Sequence, residues 1–341
     1  MHRRIWVLAA FVAFAPFVSC AQNAAPLRLL QTIPLPNVRG RIDHFDVDVA
    51  GKRLFMSALG NNTLEVFDLR TNKRTHTIRG LHEPQGVSYA PESNRIFVAN
   101  GDDGMVSMFD GTTYALLKTV RLSSDADDTR YDPATKLVFV GYGDEGNAGL
   151  AMLDGTTGNL VGAIQLPAHP ESFQLEKSGS RIFVNIPSAG NIVDVVDRNK
   201  RRIVTTWTLD GAQDNFPMDL DEADHRLFID CRTPPEVLVL DTESGKIVAR
   251  IPSVSHADDL WYDAANKRIY VSGGQGFITV IKQEDASHYR TTAQIKTLPG
   301  GRTSLLVPKL NRFYLGVWGR GTQPEELRVY EIEPREAASL R

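Results

Sequence analysis

The chain is predicted to be all-β: a seven-bladed β-propeller with four antiparallel strands per blade, its ring closed by the N-terminal strand. Three observations carry this. A short strand-like phrase returns seven times, as Arg53-Leu54-Phe55-Met56, Arg95-Ile96-Phe97-Val98, Leu137-Val138-Phe139-Val140, Arg181-Ile182-Phe183-Val184, Arg226-Leu227-Phe228-Ile229, Arg268-Ile269-Tyr270-Val271 and Arg312-Phe313-Tyr314-Leu315. The returns lie 42 to 45 residues apart, the period of a four-stranded blade. The last copy runs out of chain after its third strand, and a matching segment, Leu27 to Ile33, waits at the other end.

Within each copy the elements follow one order. An inner strand comes first, as at Phe45 to Asp48 or Leu260 to Tyr262, and consecutive apolar residues there are expected where neighbouring blades cover both faces. A turn follows, such as Asp132-Pro133-Ala134-Thr135-Lys136 or Asp263-Ala264-Ala265-Asn266-Lys267, built from residues that turns favour. The recurring phrase is the second strand. The third strand ends on Asp68, Asp110, Asp154, Asp197 or Asp241, each read as a turn former. A fourth strand completes the blade, as at Thr75 to Ile78, Leu117 to Val120 or Ile247 to Ile251. Closure by Leu27 to Ile33 would leave no open edge between the first and last blades.

Composition sets further bounds. With 42% hydrophobic and 23% charged residues the chain reads as globular. Its start, with His2, Arg3 and Arg4 before an apolar run from Ile5 to Val18 and small residues at Ser19 and Ala21, reads as a secretory signal peptide over residues 1–21. The mature propeller is then 22–341, periplasmic or secreted. A rival reading makes Cys20 the site of a lipid anchor. Loss of Arg3 and Arg4 takes the formal charge from −3 to −5, which disfavours nucleic acid as a partner. No later segment is long and apolar enough to be a membrane-spanning helix. Cys231 is left without a partner for a disulfide and is expected to be a packing residue.

The phrases Lys267-Arg268-Ile269-Tyr270-Val271-Ser272 and Asn94-Arg95-Ile96-Phe97-Val98-Ala99-Asn100, with the third-strand Asp and the turns that follow it, resemble the YVTN-repeat β-propeller family. The resemblance covers about residues 27–332. It implies export and the seven-bladed ring of YncE-like proteins, a WD-repeat-like architecture, and it transfers no catalytic residue. Leu137 in place of Arg, and Glu331 in place of the third-strand Asp, depart from the repeat.

The recurring phrase also serves as a ruler. Twelve residues before each copy stand Arg41, Glu83, Asp125, His169, Asp214, His256 and Gly300. Ten before stand Asp43, Gln85, Asp127, Glu171, Phe216, Asp258 and Arg302, and nine before stand His44, Gly86, Asp128, Ser172, Pro217, Asp259 and Thr303. These positions open the inner strands and should ring one mouth of the central channel. The candidate binding residues are therefore Arg41, Asp43, His44, Gln85, Asp127, Asp128, His169, Glu171, His256, Asp258, Asp259 and Arg302. The expected ligand is a small molecule or a periplasmic or cell-surface protein. A second reading places a divalent metal on His44, His169 and His256, with Asp128, Glu171 or Asp259 as base of a lactonase-like hydrolase or lyase. A third is an electron-transfer partner subunit.

Overall fold

In the computed structural model, residues 25–334 are described. They form seven four-stranded antiparallel sheets, each with sequential strand order except the last. The segments assigned to the signal peptide and to Cys20 lie outside the described residues. Blade 1 runs from the inner strand Phe45–Asp48 through Arg53–Ala58 and Thr63–Asp68 to Lys73–Arg79, and the next five blades repeat that plan. Blade 7 takes Thr303–Val307, Arg312–Val317 and Glu326–Ile332 from the end of the chain and its outer strand, Leu27–Pro34, from the beginning. The closing strand pairs antiparallel with the last, Leu27 opposite Ile332 and Pro34 opposite Glu326. Leu27 and Ile33 are buried, so closure is sealed by apolar contact as well as by the ladder. No helix among the described residues is long and apolar enough to cross a membrane.

Burial is distributed differently from the expectation. The strands buried on both faces are the second and third of each blade: in Arg53–Ala58 every residue after the arginine is buried. Inner strands vary: Phe45–Asp48 and Thr129–Asp132 bury their ends and leave the middle part-exposed, whereas Thr303–Val307 is buried throughout. The inner strand is joined to the next blade by side chains instead of a ladder. Asp46 accepts the Tyr89 N–H at 2.7 Å, Asp219 the Tyr262 N–H at 2.6 Å, and Asp259 the Ser304 N–H at 2.6 Å. Large exposed apolar residues, including Leu30, Leu117, Leu160 and Val204, all lie on outer strands.

Four of the recurring arginines, Arg53, Arg181, Arg226 and Arg268, tie neighbouring blades together, whereas Arg95 and Arg312 bond within their own blades. Arg and Phe two residues apart share a strand face, and the Arg53 and Arg181 guanidinium groups lie 5.4 Å and 5.3 Å from the centres of the Phe55 and Phe183 rings. Beyond the ring, Arg181 donates to Thr242 O at 2.7 Å, Arg226 to Ala286 O at 2.6 Å and Arg268 to Glu333 O at 2.5 Å, each in the next blade. Blade 3 lacks this arginine at Leu137. There Arg198, from blade 4, reaches back to Asp132 Oδ2 at 3.1 Å and also donates to Glu176 O and Gly179 O. The third-strand aspartates are turn formers as expected: Asp110, for example, accepts the Thr112 and Thr113 N–H groups at 2.9 Å each, and Asp154 those of Thr156 and Thr157. Cys231 is buried inside its strand, and burial, the leading cause, raises its thiol pKa.

Candidate ligand-binding site at the channel mouth

Three spaces stack along the ring axis. A vestibule of about 340 Å³ opens at the end where the inner strands begin. Below it a neck of about 20 Å³, room for about one water, shares Arg41, Asp127, Glu171, Phe216 and Asp258 with the vestibule. A far chamber of about 590 Å³ shares Arg130 and Trp261 with the neck.

The register ten residues before the recurring phrase faces the vestibule. Six of its seven residues line it: Gln85, Asp127, Glu171, Phe216, Asp258 and Arg302. The seventh, Asp43, is fully buried behind Arg41. The register nine before lines the neck, with His44, Asp128, Ser172, Pro217 and Asp259. The register twelve before is split. Arg41, Asp125 and His169 face the vestibule, whereas His256 is exposed and lines none of the three spaces.

That register has a backbone reason of its own. Glu83, Asp125, Asp214, His256 and Gly300 all have positive φ, at 50°, 38°, 58°, 56° and 92°. Asp, His and Gly are favoured in left-handed backbone, so His256 is a turn residue. The three-histidine metal set is therefore corrected. His44 sits in the neck against Asp259, His169 in the vestibule against Asp127, and His256 outside both. Among the described residues no group of three or more His, Cys, Asp or Glu converges to hold a metal ion. Asp259 is not free to act as a base either. Its Oδ2 takes the Ser304 N–H, and its Oδ1 faces His44 Nδ1 at 3.3 Å. Asp128 Oδ1 accepts the Thr129 N–H at 2.9 Å and a bond from Arg130, while its Oδ2 is buried without a hydrogen bond among the described residues.

The vestibule's charges meet across blades. Asp258, in blade 6, is contacted by three arginines from three other blades. Arg232 donates to Oδ1, Arg302 Nε lies 2.6 Å from Oδ2, and Arg41 Nη2 lies 3.7 Å from Oδ2. Arg41 Nη2 also lies 2.9 Å from Asp43 Oδ2. The contacts of Arg302 Nε with Asp258 and of Arg41 with Asp43 are close ion pairs without hydrogen-bond alignment. Arg232 lies over the Phe216 ring at 3.5 Å, and Arg302 lies 5.3 Å from the Trp318 ring. On the opposite side His169 donates through Nδ1 to Gly143 O at 2.8 Å and presents Nε2 to Asp127 Oδ2 at 3.5 Å. Gln85 donates to Asp125 at 2.8 Å.

These surroundings set the protonation states. Burial works against a charged His169, but the Asp127 contact and the charges of Asp127 and Asp125 outweigh it and raise its pKa to about 9. Burial, reinforced by the Asp127 charge, raises Glu171 to about 8. Glu171 is thus a neutral carboxyl beside an imidazolium at neutral pH. His44 is raised well above its ordinary value: burial opposes charging, but Asp259 and Asp43 prevail.

Arg232 and Trp318 were not among the candidate residues. Both stand six residues after the recurring phrase, where the other copies have Leu59, Gly101, Gly143, Pro187 and Gly274. A large side chain in a register otherwise held mainly by glycine was the available signal.

The fold has well-covered neighbours of low identity. A chain of Kuenenia stuttgartiensis hydrazine synthase superposes with a TM-score of 0.71 at 16% identity, covering 84% of this chain and 96% of that one. A chain from the mitotic checkpoint complex superposes with a TM-score of 0.73 at 11% identity, covering 97% and 99%. No family model matches the chain, and no curated protein matches it. At such identities the likeness extends to the propeller fold, and the activities of these neighbours do not transfer.

Proposed function

We propose that this is an exported propeller of YVTN type that binds a small polar ligand in the vestibule at its channel mouth. The observation that carries the reading is the convergence of Arg41, Arg232, Arg302, Asp127, His169 and Glu171, from separate blades, on one cavity of about 340 Å³. Interblade polar contacts elsewhere recur from blade to blade and fill structural needs. These do not recur, and a concave site with perturbed titrating groups is a default ligand site. Export rests on the residues of the N-terminal segment.

A thermal-shift screen of small polar metabolites tests the site. At least one compound should raise the melting temperature of the wild type and fail to raise that of a folded Arg232→Ala, Arg302→Ala double variant. Equal stabilisation of both proteins would place binding elsewhere.

A second reading keeps the hydrolase or lyase idea in reduced form. Glu171, a neutral carboxyl next to His169 and Asp127, has the protonation state of a general acid. Turnover of a lactone panel that disappears in Glu171→Gln, with melting temperature preserved, would support it.

A further inference from the structure

We propose that the vestibule selects a small zwitterion of the α-amino-acid class, its carboxylate on an arginine wall and its ammonium on an acidic wall. The inference rests on the mouth being a ligand site. Charge in the vestibule is sorted by blade. Arg232, Arg302 and Arg41 come from blades 5, 7 and 1 and flank Asp258 of blade 6, so on that side three guanidinium groups face two carboxylates, Asp258 and the fully buried Asp43 behind Arg41. Asp125 and Asp127 of blade 3 and Glu171 of blade 4 stand on the other side, where the single cation among the described residues, His169, lies against Asp125 and Asp127 and leaves the wall acidic.

The arginine wall is prepared for a carboxylate. Arg302 uses only Nε, and Arg41 only Nη2, in their ion pairs. Terminal nitrogens remain for a two-pronged contact, the geometry in which guanidinium and carboxylate bind best. The Phe216 and Trp318 rings pack against the Arg232 and Arg302 guanidinium groups, which lowers the ordering cost of binding. The acidic wall is prepared for a cation. No hydrogen bond among the described residues occupies the Glu171 carboxyl, and Asp127 meets His169 only at 3.5 Å. A purely anionic ligand would leave that wall unused, and a purely cationic one would face the arginines.

The arrangement has a distinctive consequence. An ammonium placed beside Glu171 favours its ionised form. Binding near neutral pH therefore releases a proton, from the Glu171 carboxyl to buffer.

Isothermal titration of the full chain at pH 7 in two buffers of different ionisation enthalpy tests this. The probes are L-amino acids, the amine-free acids propionate and succinate, and the carboxylate-free amine ethylamine. An amino acid should bind at least about tenfold tighter than its half-molecules, a difference of ~1.4 kcal/mol, and should show proton release. Glu171→Gln should abolish the proton release. Arg302→Lys, which keeps the charge and loses the fork, should weaken binding about tenfold. Melting curves of both variants establish that they fold. If amine-free acids bind as tightly as amino acids, or if no proton is released, the zwitterion assignment is overturned. If no amino acid binds while another polar compound is stabilising in a mouth-dependent way, this inference fails and the binding role stands. If no compound of either panel binds, the binding role fails with it.

Discussion

The two ends of the ring use charge in opposite ways. At the end carrying the turns between first and second strands, acids and bases repeat. In four copies, Arg53, Arg181, Arg226 and Arg268, the arginine of the recurring phrase reaches the next blade, and a third-strand aspartate caps its own turn, as at Asp110, Asp154 and Asp241. Even the exception conforms, since Arg198 supplies to Asp132 what Leu137 cannot. At the mouth the residues of equivalent register differ from blade to blade and meet around the axis. Asp258 with its three arginines has no counterpart in another blade. Repetition marks what the fold requires, and convergence without repetition marks the site.

Several experiments would break or sharpen this contrast. The largest effect should come from the closure that both ends depend on. Deleting Leu27–Pro34 removes an entire ladder and the buried Leu27 and Ile33. The expected loss is on the order of 5 kcal/mol or more, read as a collapse of the melting transition. An unchanged melt would refute closure by this strand.

Next is the repeating end. Arg198 and Asp132 are only 9% and 6% exposed. Arg198→Ala leaves a buried carboxylate without its charged partner and should cost about 3 kcal/mol, with ligand affinity at the mouth unaltered. A loss of affinity at constant stability would show that the two ends are not separable.

The two ends should also respond to pH in opposite directions. Glu171 is raised from 4.5 to about 8, so its stabilisation is fully present below pH 4.5 and lost as pH rises through 8. His169 is raised from 6.5 to about 9, and its contribution is present below 6.5 and lost through 9. Melting temperature should therefore fall between pH 6.5 and 9, by less in Glu171→Gln. The turn aspartates behave conversely. Asp154 is held below its ordinary 3.8, chiefly by the Thr157 N–H, so its contribution is lost in acid. A flat profile from pH 6.5 to 9 would refute the protonation states assigned to the mouth.

The smallest effect belongs to a single turn cap. Asp241→Ala removes an acceptor of the Glu243 and Ser244 N–H groups and should lower the melting temperature by about 1–2 °C. A larger fall would mean that one blade's turn matters to the whole ring.

Much of this was legible in the chain because a blade is a local object. Its turns and strand burial depend on neighbours in sequence, so Arg53-Leu54-Phe55-Met56 and Asp68 declare their roles wherever they recur. The register ten residues before the phrase was equally legible, because equivalent places in equivalent blades face the same channel. His256 misled for the same local reason: a left-handed turn asks for the same residue types that a site does. What no local pattern contains is which side chains meet once the ring closes. Arg232 with Asp258, Arg198 with Asp132 and His44 with Asp259 each join different blades, the last joining blades 1 and 6. By itself the sequence determined the seven blades, their closure and the layer of residues at the mouth. Only the tertiary structure decided the partners within that layer, because ion pairing falls steeply with distance and those distances are set by the curvature and closure of the whole ring.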